Sequence, residues 1–171
     1  MTDNITNDSN QFLTFTLGKE IFAVDISTVR EVLELTAITR IPRTPQFMRG
    51  VINLRGNAVP VLDMRQKLGM KALQDTVDTC IIIVEIDFDG DTVVMGALVD
   101  SVREVFEIEP GSIEPAPRMG ASVNVDYIKG MGRQNEEFII IMDIGKIFSV
   151  EELIMAKEII SGDEQSIASA A

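Results

Sequence analysis

The sequence predicts a mainly β protein: two small β-barrel subdomains related by internal duplication, with one helix after them. Three observations carry the prediction. The block RGVINLRGNAVPVLDMR at residues 49–65 returns in altered form as KGMGRQNEEFIIIMDIGK at residues 129–146. Apolar stretches are short and broken by frequent turn residues, the pattern of small barrels. Only the stretch after residue 148 combines a helix start signal, an apolar helical face and a stop signal.

The repeat keeps its order along the chain. Gly50 is answered by Gly130 and Asp63 by Asp143, both at an offset of 80 residues. Upstream, Thr28-Val29-Arg30-Glu31-Val32 is answered by Ser101-Val102-Arg103-Glu104-Val105, and Pro42 by Pro115, at an offset of 73. The extra seven residues therefore fall in a longer second-copy loop at 115–126. Two copies exclude a solenoid and favour a pseudo-symmetric pair. A fused pair has a long seam, and a seam offers a partner more than it offers catalysis.

Taken in order, residues 1–10 are polar and acidic and are expected to be disordered. Leu13, Phe15 and Leu17 alternate with Thr14 and Thr16, Gly18-Lys19-Glu20 turns the chain, and residues 21–26 resume the apolar pattern as a hairpin. Thr28 with Glu31, and Ser101 with Glu104, have capping-box spacing, which predicts a short helical turn in each copy. Strands are expected at 33–41, 50–54 and 58–62, then at 80–88, 92–99, 105–108 and 138–144. Residues 80–84 and 138–142 are continuously apolar, so both strands are expected to be buried on both faces, at the seam. The first barrel copy spans 11–69, residues 70–79 link, and the second copy spans 80–148. Ser149 with Glu152 three residues on predicts a helix over 150–160, ended by Ser161-Gly162. Residues 161–171 read as a disordered tail.

With 171 residues, 46% of them apolar, the chain can bury a core. No apolar run reaches the ~20 residues of a membrane helix, and the first ten residues carry no secretory signal. The single cysteine, Cys80, heads an apolar run and reads as a buried, inert thiol. These features predict a cytoplasmic protein without direct membrane insertion.

Charge is uneven within the net −12. Residues 11–70 hold eight basic and five acidic side chains; residues 71–171 hold seven basic and twenty acidic ones. Arg40, Arg43, Arg49, Arg55 and Arg65 form a cationic strip, interrupted only by Asp63. Nucleic-acid binding demands a far larger basic footprint. The strip reads either as scattered solvated residues or as a docking face for an acidic protein surface.

Catalytic readings fare poorly. The chain has no histidine, which removes histidine acid–base catalysis, histidine-activated nucleophiles and histidine metal sites. Asp63 and Asp143 lack the Thr/Ser-Gly that follows an aspartic-protease aspartate, and read instead as caps of the short turns after them. No phosphate loop occurs, and Gly130-Met131-Gly132 has no dinucleotide fingerprint around it. The acidic run 87–91 lacks the closing glutamate of a calcium loop and reads as a hairpin tip. No cofactor or metal is expected.

The run RGVINLRGNAVPVLDMR, preceded by Val-Arg-Glu-Val and Ile-Pro and followed by GALVDSVREV, resembles the chemotaxis coupling proteins of the CheW family over nearly the whole chain. The resemblance implies a pair of five-stranded, SH3-like barrels over 11–157. It implies a non-catalytic adaptor that docks a chemoreceptor's cytoplasmic tip and the regulatory domain of the histidine kinase CheA, in the cytoplasm at membrane receptor arrays. It leaves open contacts with its own kind in array rings. A single family domain, with neither kinase nor receiver attached, favours the free-standing adaptor. By the resemblance Val29, Glu31, Gly50, Asn53 and Arg55 face the receptor, while Gly56, Asp63, Gly130 and Asp143 shape turns and caps. Val29 and Gly50 would floor a groove for a receptor helix, and Glu31 would orient Arg55 or simply cap a turn. Alternatives are a coupling protein of a pilus-type pathway and a β-barrel ligand-binding module or enzyme.

Overall fold

The computed structural model describes residues 10–71, 74–115 and 126–160. Of the tails expected at 1–10 and 161–171, all but Asn10 lie outside these residues, as do the helix stop at Ser161-Gly162 and most of the loop at 115–126. Among the described residues the strands are β1 (Gln11–Leu17), β2 (Glu20–Asp25), β3 (Val29–Glu34), β4 (Met48–Leu54), β5 (Asn57–Asp63), β6 (Cys80–Phe88), β7 (Asp91–Val99), β8 (Ser101–Glu107), β9 (Ile128–Gln134) and β10 (Glu137–Met142). The helices are α1 (Met64–Lys67) and α2 (Val150–Ile160).

The strands form two five-stranded sheets, ordered β8-β1-β2-β10-β9 and β3-β6-β7-β5-β4. Each position in one order is held in the other by the matching strand of the other copy. Yet neither sheet is made from one copy. The β1–β2 hairpin of the first copy is inserted between β8 and β10 of the second, and the β6–β7 hairpin of the second between β3 and β5 of the first. The insertions use parallel pairing, Ile21↔Ile139 to Val24↔Met142 and Val61↔Gly96 to Asp63↔Leu98. The expected barrel limits of 11–69 and 80–148 therefore mark the repeat and not the sheets. The exchange pairs both edges of each hairpin with strands of the other copy.

Both sheets curl in the same way. Thr39, beyond the end of β3, exchanges two 2.8 Å backbone hydrogen bonds with Val51 of β4. Glu114, beyond β8, does the same with Met131 of β9. The sheets are thus SH3-like, each drawn round by an isolated bridge instead of a full closing ladder.

Alternation distributes the side chains over three cores. In β6, Ile81 and Ile83 face a small core with Ile52, Val59, Val61 and Leu98. Ile82, Val84 and Ile86 face the large central core, which takes Leu13, Phe15, Leu17, Phe22 and Val24 from the opposite sheet. Phe12, Ile21, Ala23, Ile139 and Ile141 form the third core. A run such as Ile81 to Val84 is continuously apolar because one face fills a barrel and the other fills the seam. In β10 the pattern stops short of Phe138, which is 52% exposed.

Local expectations are corrected at three places. The capping boxes do not form: a 3-10 turn at Ile26–Thr28 is capped by Asp25, Thr28 donates to the Asp25 carbonyl at 2.7 Å, and Ser101 lies in β8 against Thr16. Valines at 29, 32, 102 and 105 favour extended backbone where a neighbouring strand offers a ladder. The strand expected at 33–41 lies at Val29–Glu34. A further strand, β9, carries Gly130 and Gly132, whose low β propensity hides it from pattern reading.

Candidate functional site

The β4–β5 connection is a two-residue hairpin. Leu54 pairs with Asn57, leaving Arg55 and Gly56 as the turn. Both have positive φ, 51° and 88°, as a type I′ turn requires. Gly56 takes this region freely; Arg55 takes it at a steric cost that the hairpin imposes. Asn53 braces the turn, its Oδ1 accepting the Gly56 amide at 2.7 Å. The sequence thereby lifts Arg55 off the sheet, with its side chain 67% exposed.

Glu31 meets Arg55 from β3, at the opposite edge of the same sheet. Arg55 Nη1 donates to Glu31 Oε1 at 3.4 Å and Nη2 donates to Oε2, a fork-on-carboxylate pair. The Arg55 hydrogen bond holds the Glu31 carboxyl below its ordinary range despite partial burial, and Glu31 in turn raises Arg55. An exposed pair of this kind orients more than it stabilises. It holds the guanidinium over a cleft of about 250 Å³ floored by Leu54, Ala58, Val94 and Ile160. Arg30, which sequence reading passed over, stands at the same cleft and pairs with Glu85 at 3.3 Å. Its sequence signals are its place beside Glu31 and its match to Arg103 in the repeat.

Glu31, Asn53, Arg55 and Gly56 thus come together. Val29 is partly buried and packs on the central core. Gly50 is buried beneath the chain's own backbone: a Cβ there would sit 2.7 Å from the Thr39 carbonyl carbon and 2.8 Å from Ile38 Cγ2. Its φ of 143° is also a glycine conformation. Gly50 is therefore covered by Thr39 and is not an open floor. Gly130 repeats the crossing, with a would-be Cβ 2.8 Å from the Glu114 carbonyl oxygen.

Asp63 caps α1, its Oδ1 accepting the Arg65 and Gln66 amides at 3.0 and 3.3 Å. Asp143 accepts the Gly145 amide at 3.2 Å. The backbone amides of both aspartates donate to matching carbonyls, Phe47 and Tyr127, at 2.7 Å. The arginine strip is not one face. Arg65 is 1% exposed and paired with Asp100, and Arg49 is forked onto Asp75.

The Arg55 guanidinium, forked onto Glu31, thus stands at a cleft of mixed lining, with Arg30 and Asn57 beside Leu54, Ala58, Val59 and Val94. Among the described residues no group of His, Cys, Asp and Glu gathers as a metal ion would need, and no helix is long and apolar enough to cross a membrane. A profile of the CheW-like domain family matches residues 11–152. The chain belongs to the CheW-like family. It is similar to the chemotaxis protein CheW of Klebsiella aerogenes, 36% identical over 87% of each chain. The chemotaxis protein CheW of Rhizobium meliloti is 31% identical over 87% of this chain and 94% of that one. Among solved structures, the scaffolding protein TtCheW of Thermoanaerobacter tengcongensis superposes with a TM-score of 0.73 at 35% identity, covering 84% of this chain and 95% of that one. As a CheW-like protein the chain is a chemotaxis scaffold without catalytic activity of its own.

Proposed function

We propose that this scaffold couples the cytoplasmic tip of a chemoreceptor to the regulatory domain of the histidine kinase CheA, in the cytoplasm at the membrane arrays where receptors cluster. The observation that carries the reading is Arg55, lifted on a two-residue turn with positive φ, held by Glu31, and lining a cleft with Leu54, Ala58, Val94 and Ile160. A receptor helix would lay its apolar face against Leu54, Ala58, Val94 and Ile160 and offer a carboxylate or carbonyl to Arg55. Asn53 and Gly56 hold the turn in place.

Two contacts at once make the coupling. A chain that holds receptor on one surface and kinase on another raises the local concentration of one at the other, and transmits a receptor change as a difference in contact energy. The test is co-sedimentation of the purified chain with a receptor signalling fragment and CheA. Recovery of all three in one particle supports the reading; a chain that pellets with neither overturns it.

A further inference from the structure

Helix α2 has two apolar faces, and only one is buried. Leu153, Ala156 and Ile159 pack into the core, while Val150 is 58% and Ile154 46% exposed. These two lie four residues apart, one above the other on the outer face. Together with Phe88 at the β6–β7 hairpin tip they line a groove of about 710 Å³, completed by Asp89, Lys157 and Glu158.

The charges at the groove decide what fits it. Lys157 is already committed: it donates to Asp91 at 2.8 Å and its Nζ lies 5.7 Å from the Phe88 ring centre. With Lys157 and Asp91 paired, the rim also carries the exposed carboxylates of Asp89 on the hairpin and of Glu151 and Glu158 on the helix. Glu151 and Glu158 flank Ile154 at helical spacings of three and four, so a side chain seated on Ile154 has acids above and below it. An acidic segment would meet like-charge repulsion at this rim, a neutral one would gain nothing from it, and a basic one would be steered in.

We propose that the groove between α2 and the β6–β7 hairpin is a second docking surface, for a basic amphipathic segment of a partner protein that seats apolar side chains on Phe88, Val150 and Ile154. The inference shares no lining residue with the Arg55 cleft, so either can fail alone.

The test titrates the isotopically labelled full chain with a synthetic helical peptide of about 18 residues, leucine on one face and lysine on the rest, and with a matched peptide carrying glutamate for lysine. The lysine peptide should bind saturably, with amide shifts confined to residues 88–91 and 150–158. Ile154→Glu should weaken it roughly tenfold or more with the fold retained, and the glutamate peptide should not bind. Shifts scattered over the acidic surface, or an unaffected Ile154→Glu, would overturn the proposal. So would a self-association that Ile154→Glu dissolves, which gives the groove to a second copy, or binding seen only after residues 161–171 are deleted, which gives it to the chain's own end.

Discussion

Thr39 crosses Gly50 so closely that its carbonyl occupies the space a side chain would need, and the same two segments exchange a pair of 2.8 Å hydrogen bonds one residue on, at Val51. This crossing draws one sheet into its barrel. Gly50→Ala combines an overlap with backbone and an unfavourable φ, so it should lower unfolding stability by about 3 kcal/mol. Gly130→Ala meets the equivalent overlap without positive φ and should cost less. Urea unfolding of both variants checks the order; an equal or inverted order would refute the account of the crossing.

Arg65 and Asp100 tie the two sheets. The guanidinium is 1% exposed with Nε 2.5 Å from Asp100 Oδ1, a charge contact without hydrogen-bond geometry, while Asp100 Oδ2 accepts the Gly18 amide of the β1–β2 turn at 2.6 Å. Arg65→Met leaves that carboxylate uncompensated and should cost about 3 kcal/mol. Adding Asp100→Asn should recover part of the loss. Strictly additive losses in a double-mutant cycle would show that the pair is not coupled.

Acid should act through Asp75. The Arg49 hydrogen bond holds its carboxyl below the ordinary value of 3.8. A folded-state value lower than the unfolded one contributes stability above about pH 3.8, and that contribution is lost as pH falls through the folded value. The urea midpoint should therefore drop less steeply between about pH 5 and 2.5 in Asp75→Asn than in the parent chain. Identical slopes would mean that the Arg49 fork does not form in solution.

Helix α2 should depend on its start. Ser149 Oγ accepts the Glu152 amide at 3.1 Å, Glu152 Oε1 accepts the Ser149 amide at 2.8 Å, and Glu152 Oε2 accepts from Lys67 at 3.0 Å. Ser149→Ala should cost about 1 kcal/mol in chemical unfolding. A change near zero would mean that the helix is held by its buried face alone.

The legible parts of the fold are those that local chemistry specifies. The Ser149-to-Glu152 spacing places α2, and the continuous run at Ile81 to Val84 announces a strand covered on both faces. Pairing between copies is different. The β1–β2 hairpin meets similar apolar strands in its own copy and in the other, so Ile21 to Val24 carry no local sign of whether β5 or β10 is their neighbour. The Arg49 and Arg65 ion pairs were hidden for the same reason, since Asp75 and Asp100 are brought to them only by tertiary packing. At the Arg55 cleft, Asn53 to Gly56 are readable as a turn from sequence, whereas Arg30, Val94 and Ile160 join it through three separate elements.

The coupling account rests on Arg55 as a receptor contact separate from the kinase contact. The direct measurement is co-sedimentation of Arg55→Glu with a receptor signalling fragment and, separately, with CheA. The account predicts that this exposed substitution leaves the unfolding midpoint nearly unchanged, lowers receptor-fragment recovery roughly tenfold or more, and spares CheA recovery. A folded Arg55→Glu chain that retains full receptor binding would contradict it.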